Sequence, residues 1–215
     1  MNTDALIAEL IEDLRPVRHG AVARTLRRGL SWGAAASLAV LLYWPALGIR
    51  PDIAVAMAGA SFWIKLAYLI PIAAIGFLLL DPVARPGGER PRWWRAAVPP
   101  FAALIVVTVL SYAAGPVRGE GTFWLGATAL QCPFYIVALS LPVLVGLLAA
   151  LARLAPARPR AAGAMAGLVA GASGAAIYSL HCVETSPGFV LLWYSLGLGA
   201  ASVAGAVAGQ RFLRW

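Results

Sequence analysis

Residues 133–152 read PFYIVALSLPVLVGLLAALA and contain no charged side chain. The hydrocarbon core of a membrane is about 30 Å thick, and a helix needs about 20 apolar residues to cross it. This stretch therefore predicts a membrane-spanning helix. Five further apolar stretches of comparable length occur at about 29–47, 61–80, 96–114, 163–180 and 189–209. Together they predict an all-α fold, in which residues 29–215 form a bundle of six transmembrane helices in a polytopic membrane protein.

The composition of the whole chain agrees with this fold class. Of its 215 residues, 61% are hydrophobic and 12% are charged, whereas soluble domains carry about 25% charged residues. Most of the surface is therefore expected to face the lipid bilayer. The net charge of +8 can accompany nucleic-acid binding. Here the basic residues form short clusters between apolar runs, which is typical of topology signals and predicts no direct contact with nucleic acid.

The arginines indicate how the helices are oriented. They cluster at positions 15–28, 85–95, 153–160 and 211–214, whereas the alternate loops hold only Arg50 and Arg118. Positive residues collect on the cytoplasmic side, so both termini are predicted to be cytoplasmic. One lysine, Lys65, lies about four residues inside the second span, where its side chain is expected to reach the outer lipid headgroups. The first 28 residues lack an apolar core, so no cleavable signal peptide is expected.

Small residues recur every four positions in the last two spans. One series is Gly163, Gly167 and Gly171, and the other is Ala201, Gly205 and Gly209. This spacing lets helix backbones approach each other closely. It predicts packing between helices of one chain in preference to a contact between two chains, and the oligomeric state stays open.

Residues 1–28 form the predicted cytoplasmic N-terminal segment, with an amphipathic helix over residues 4–15. Its apolar residues share one face at helical spacing, and they are Leu6, Ile7, Leu10, Ile11 and Leu14. Acidic residues on the other faces argue against binding to an anionic membrane surface. A helix of three turns is marginally stable alone in water. It is therefore suited to docking, either in the groove of a partner or against the cytoplasmic face of its own bundle.

The only two cysteines of the chain are expected at one end of the bundle. Cys132 precedes the fourth span and Cys182 follows the fifth, so the predicted topology places both on the extracytoplasmic side. That compartment is oxidising, and a disulfide is one state open to them. A structural staple, two unpaired buried thiols and a redox or metal sensor all remain alternatives. His181 and Glu184 add potential ligands, but the spacing is not that of a zinc site, so a metal stays open and no cofactor is predicted.

The residues after Cys182 form a polar turn before the sixth span. Thr185 or Ser186 is expected to cap the sixth helix with its side chain, and Pro187 is expected in the first helical turn. A capped turn would explain these residues without any ligand chemistry.

The motifs of the common enzyme classes do not occur in the chain. It contains no phosphate-binding loop, catalytic triad or metalloprotease motif, so no enzymatic activity is predicted. The predicted spans hold no carboxylate near their centres, which argues against a proton-coupled transporter. Three classes remain: a regulatory binding protein, a small transporter or channel, and an assembly subunit of a membrane complex.

Three stretches carry a resemblance to a known family. They are NTDALIAELIEDLRPVR at 2–18, ALQCPFY at 129–135 and HCVETSPGFVLLWY at 181–194. With the six predicted spans, they make the chain resemble the NrsF family over essentially its whole length. NrsF proteins are bacterial membrane proteins that act as negative regulators, or anti-sigma factors, of extracytoplasmic-function sigma factors.

The resemblance implies a function for the predicted parts. The N-terminal segment would hold an extracytoplasmic-function sigma factor at the bacterial inner membrane, away from RNA polymerase. An extracytoplasmic signal sensed near Cys132, Cys182 and His181 would release it. Any signal must change the relative stability of two states of the bundle that differ in their affinity for the sigma factor.

Overall fold

The computed structural model describes residues 20–85, 98–115 and 120–213, together with the single positions 3 and 95. Over these residues the chain is helical and forms no strand, which confirms the all-α prediction there. The helices are α1 (Ala21–Tyr43), α2 (Ile53–Ala58), α3 (Ala60–Ala84), α4 (Val98–Ala114), α5 (Glu120–Trp124), α6 (Gln131–Ala152), α7 (Pro159–Tyr178) and α8 (Pro187–Phe212). The helix predicted over residues 4–15 lies outside the described residues.

Four of these helices, α3, α6, α7 and α8, are long and apolar enough to cross a membrane. Their lengths of 20 to 26 residues match the thickness of a hydrocarbon core. Helix α4 is apolar but has 17 residues. Helix α1 has 23 residues but carries three arginines near its start. Four predicted spans thus have the expected length and composition, whereas the first and third stay predictions.

Glycines bring the backbones of α7 and α8 into contact. A Cβ added to Gly163 would collide with the carbonyl oxygen of Gly205, and one added to Gly205 would collide with that of Gly163. A Cβ added to Gly167 would likewise collide with the carbonyl oxygen of Ala201. The predicted small-residue packing within one chain is therefore confirmed. A second pair of this kind, Gly29 and Gly146, joins α1 to α6.

A leucine at Gly205 should destabilise the bundle, because its side chain has no room between α7 and α8. The expected loss is about 1–3 kcal/mol or more, as for other overpacked sites. Gly199→Leu is the matched control, since Gly199 lies on the same helix and a Cβ there would meet nothing within 4 Å. Thermal unfolding in detergent should show a lower Tm for Gly205→Leu alone. Equal Tm values for the two variants would contradict this close packing.

The bundle has two ends that differ in charge. Cys132 lies in the first turn of α6, and Cys182 lies just after the end of α7. Both are therefore at one end of the bundle, called here the cysteine end. The opposite end, the arginine end, is where α1 begins, where α6 meets α7 and where α8 finishes. Its arginines are Arg24, Arg27, Arg28, Arg153, Arg158, Arg160 and Arg211. A buried apolar cluster fills each end, and these arginines lie exposed around the cluster at the arginine end.

The prediction that Lys65 reaches the lipid headgroups is wrong. Its side chain is 2% exposed, and its Nζ donates a hydrogen bond to the carbonyl oxygen of Cys182 at 3.3 Å. Nζ also lies 5.9 Å from the centre of the Tyr194 ring. Phe62, Lys65 and Tyr68 are buried at helical spacing on α3. Lys65 therefore belongs to the face that packs into the bundle, which hydropathy along the sequence cannot distinguish from the lipid-facing side.

The start of α8 differs in detail from the predicted capped turn. Pro187 occupies the first turn as expected, and Ser186 is the N-cap residue. The Ser186 hydroxyl makes no capping bond and instead donates to the carbonyl oxygen of Phe123 at 2.7 Å. A π-helical turn follows over Val190–Tyr194, and such turns commonly accompany functional sites. In this turn Tyr194 is fully buried.

Candidate functional site

The two cysteines lie in one buried cluster at the cysteine end. Cys132, in the first turn of α6, is 0% exposed, and Cys182, after α7, is 3% exposed. Both are free thiols in the structure. Both belong to the same buried cluster, and Lys65 donates a hydrogen bond to the backbone carbonyl oxygen of Cys182. The arrangement of α6 and α7 thus brings together two residues that are 50 positions apart in the sequence.

Two basic side chains hold the turn that contains Cys182. Its carbonyl oxygen accepts hydrogen bonds from Lys65 Nζ at 3.3 Å and from Arg50 Nη1 at 3.2 Å. The backbone N–H of Arg50 also donates to the carbonyl oxygen of Leu180 at 3.0 Å. The cysteine turn is therefore tied both to α3 and to the segment between α1 and α2.

Asp52 fixes the Arg50 side chain in a two-bond ion pair. Arg50 Nε and Nη2 donate to the two carboxylate oxygens of Asp52, at 2.7 and 2.5 Å. This pairing raises the pKa of Arg50 and lowers the pKa of Asp52. A carboxylate with a depressed pKa adds stability that is present at neutral pH and is lost as the pH falls through that pKa. Because Asp52 is 52% exposed, solvent screens the pair and its main effect is on geometry.

His181 points to the segment after α1. Its Nδ1 lies 2.9 Å from the carbonyl oxygen of Gly48, and a carbonyl only accepts, so Nδ1 carries the proton. The ring also packs against Tyr178, with 5.7 Å between the ring centres. The described residues contain no group of three or more His, Cys, Asp or Glu side chains placed to hold a metal ion.

Tyrosines complete the surroundings of the thiols. Tyr178 lies beside Cys132, and Tyr194 lies beside Cys182. The Tyr194 hydroxyl is buried and has no hydrogen-bond partner among the described residues. Tyr68 bonds instead to Ser195, with 2.8 Å between the hydroxyl oxygens. Rings and helices thus shield both thiols from bulk water.

Sequence reasoning placed three of these residues together and missed the others. Cys132, Cys182 and His181 were predicted to share one end, and the structure brings them there. For Lys65 the sequence predicts a side chain that reaches the headgroups, although a single charge inside a predicted span is itself a signal of a functional position. Arg50 and the tyrosines carried no such signal. The predicted partner-binding residues Leu6, Ile7, Leu10, Ile11 and Leu14 lie outside the described residues.

Replacing Lys65 by methionine should not lower the stability of the fold. Its ammonium group is buried with no carboxylate partner among the described residues, and a buried charge without an opposite charge beside it is costly to remove from water. Arg50 would still hold the Cys182 carbonyl oxygen. Thermal unfolding in detergent should give an unchanged or higher Tm for Lys65→Met. A Tm several degrees lower would show that the bond from Lys65 outweighs its desolvation.

Comparison with known proteins identifies the family. A family model described as "Negative regulator of sigma F", NrsF, matches residues 10–215. A probable anti-sigma-F factor NrsF from Azospira oryzae is 34% identical, and an anti-sigma-F factor NrsF from Caulobacter vibrioides is 36% identical, each over the full length of both chains. No solved structure matches the chain. The chain therefore belongs to the NrsF family of negative regulators of sigma F, which are regulatory proteins rather than enzymes.

Proposed function

We propose that this protein is a membrane-bound anti-sigma factor. It holds an extracytoplasmic-function sigma factor at the bacterial inner membrane and releases it when an extracytoplasmic signal reaches the two cysteines. The observation that carries the proposal is the full-length similarity to two proteins named as anti-sigma-F factors. A sigma factor held at the membrane is kept from RNA polymerase, so sequestration alone accounts for repression.

The proposed topology has six spans with both termini in the cytoplasm. Helices α1 and α4 would be the first and third spans, in addition to the four long apolar helices. The arginines of the arginine end support this orientation, because positive residues remain on the cytoplasmic side. The cysteine end would then face the extracytoplasmic compartment.

The N-terminal segment is the proposed docking site for the sigma factor. It precedes α1 in the chain, and α1 begins at the arginine end, so the proposed topology puts it on the side where a cytoplasmic partner is found. Its predicted apolar face of leucines and isoleucines suits a groove on that partner, with the predicted acidic face left in water. The alternative is that this face docks on the bundle itself.

The packing provides a route from the thiols to this segment. Cys132 lies at the start of α6, and Gly146 farther along α6 is in backbone contact with Gly29 of α1. There is likewise no room for a Cβ between Gly33 of α1 and the backbone of Val143 in α6. Because these contacts leave no space, we expect a shift of α6 to move α1, and through α1 the N-terminal segment that precedes it. A coupling of about 1–3 kcal/mol between the two sites is typical of such switches.

A transporter or channel is the less favoured reading of the bundle. The buried polar side chains of the described residues are Ser37, Lys65, Thr108, Ser140 and Ser179. The four hydroxyl groups each donate to a backbone carbonyl oxygen, so they form no continuous polar path. Family membership likewise favours a regulator over a transporter or an assembly subunit.

Co-purification from the membranes of the host tests the proposal. The full-length protein and a variant lacking residues 2–16 are isolated in parallel, and bound proteins are identified by mass spectrometry. A sigma factor should be enriched with the full-length protein only. If neither form retains a sigma factor while both remain folded and inserted, the anti-sigma proposal is wrong for this chain.

A further inference from the structure

A groove runs between α1 and α6 at the arginine end of the bundle. Its volume is about 330 Å³, which is within the usual range for small-molecule sites. One wall belongs to α1, where Thr25, Arg28 and Trp32 share a face at helical spacing. The other wall belongs to α6, where Ala149 and Arg153 lie one turn apart. Each helix thus contributes one arginine to the outer end of the same groove.

The floor of the groove is apolar and consists of small residues. A Cβ added to Gly29 of α1 would collide with the carbonyl oxygen of Gly146 of α6, and one added to Gly146 would collide with that of Gly29. Both glycines line the groove, and so do Ala149 and Ala150. These four residues carry no polar side chain, so the inner part of the groove suits an alkyl chain.

The arginines around the groove are exposed. An adjoining cavity of about 400 Å³ shares Arg28 with the groove and is also lined by Arg24 and Arg27. Among the described residues, the carboxylate at this end is that of Asp81, which pairs with Arg85 on its own helix. The described part of the chain therefore gathers cations here without an equal number of anions.

The rest of the chain does not supply enough carboxylates to neutralise this end. The segments that the proposed topology places in the cytoplasm carry fourteen arginines. They carry six carboxylates, which are those of Asp4, Glu9, Glu12, Asp13, Asp81 and Glu89. Even if each of these carboxylates neutralised one arginine, eight arginines would remain. The excess of positive charge therefore selects an anionic ligand wherever the undescribed residues lie, and guanidinium groups bind phosphate oxygens in pairs.

Trp32 indicates that the ligand is a lipid. Its side chain is 79% exposed, and it lies one helical turn farther into the bundle than Arg28 on the same wall. Tryptophan collects at the boundary between headgroups and hydrocarbon. The arginines then lie at the level of the headgroups, and the small residues of the floor lie at the level of the acyl chains. A soluble phosphate would use only the outer half of such a groove.

We propose that this groove binds an anionic phospholipid. The lipid phosphate accepts hydrogen bonds from Arg28 and Arg153, and one acyl chain lies along Ala149 beside Trp32. Basic pockets between membrane-spanning helices on the cytoplasmic side are suited to such headgroups. The inference uses the topology given under Proposed function but not the sigma factor. Its test measures lipid binding alone, so either proposal can fail without the other.

Native mass spectrometry of the full-length protein in a non-ionic detergent measures this binding. Dioleoyl phosphatidylglycerol is the probe, and dioleoyl phosphatidylcholine has the same acyl chains but no net charge. The Kd for phosphatidylglycerol should be lower by at least about fivefold, which is the contribution of one basic residue near a membrane surface. Equal Kd values for the two lipids would overturn the proposal. A large excess of glycerol 3-phosphate should not displace the lipid, and full displacement would assign the groove to a soluble phosphate instead.

Three variants with the same change in charge locate the site. Arg28→Gln and Arg153→Gln each remove one cation from the groove and should raise the Kd for phosphatidylglycerol about fivefold. Arg211→Gln is the matched control, because Arg211 is exposed at the same end of the bundle but lies on α8, outside the groove. Its Kd should stay within about twofold of the unaltered protein. Equal weakening by all three variants, or no weakening by the first two, would rule the groove out.

Filling the groove without changing its charge tests the position of the acyl chain. Ala149→Phe places a ring on the apolar floor and should weaken phosphatidylglycerol binding as strongly as Arg28→Gln does. Leu141→Phe is the control, since Leu141 is also exposed on α6 but lies nearer the cysteine end, outside the groove. It should bind the lipid normally. Normal binding by Ala149→Phe would contradict an acyl chain in the groove.

Discussion

Leu10→Asp is expected to abolish retention of the sigma factor while leaving the protein in the membrane. Leu10 is the central residue of the predicted apolar face, and an aspartate there would place a charge without a partner in an apolar groove. Central interface residues of this kind cost about 2 kcal/mol or more when lost, which corresponds to binding weaker by about 30-fold or more. The amount of sigma factor co-purified per membrane protein measures the effect.

Glu9→Gln is the matched control for this substitution. Glu9 is adjacent in sequence but lies on a polar face of the predicted helix, so its loss of charge should leave retention within about twofold. Both variants should reach the membrane in equal amounts. If Leu10→Asp retained the sigma factor as well as the unaltered protein does, the apolar face would not be the docking face. The alternative in which this face packs against the bundle would then gain support.

The fold could be predicted from sequence where the chain contains a continuous apolar run long enough to cross a membrane. The spans predicted at 61–80, 133–152, 163–180 and 189–209 correspond to α3, α6, α7 and α8. The helices themselves extend beyond these runs, as α3 does to Ala84, because backbone hydrogen bonding can continue a helix after hydropathy has dropped. Helix α1 likewise begins at Ala21, in a stretch with arginines that are good helix formers but are not hydrophobic. Hydropathy therefore predicts where the long apolar helices lie but not where they end.

The candidate site was harder to predict, because the direction of each side chain decides which residues meet there. Topology placed Cys132 and Cys182 at one end, and helix packing then joined them in one cluster. Lys65 was assigned outward because a lysine near a span end usually reaches water. Its actual neighbours come from α8 and from the turn after α7, more than 100 positions away in the chain. The π-helical turn that positions Tyr194 has no signature in the sequence.

Cys132→Ser and Cys182→Ser are expected to keep repression but to lose the response to the signal. Serine has nearly the shape of cysteine, so the buried cluster should still form and the N-terminal segment should still bind. A serine hydroxyl can neither form a disulfide nor bind a soft metal ion strongly. Sigma-dependent transcription should therefore stay low under peroxide or soft-metal stress, where the unaltered protein allows an increase of at least about tenfold. Tyr68→Phe, a change in the same cluster that touches no thiol, should respond normally.

The pattern across the two cysteine variants also discriminates between mechanisms. Disulfide formation removes one proton and one electron from each thiol and reduces one peroxide to two water molecules, so both cysteines are required. The mass of the intact protein after peroxide treatment would fall by two hydrogens. Loss of response in Cys182→Ser alone would instead indicate chemistry at a single thiol, next to the carbonyl oxygen that Lys65 and Arg50 hold. A normal response in both variants would show that the signal acts elsewhere, because no other thiol exists in the chain.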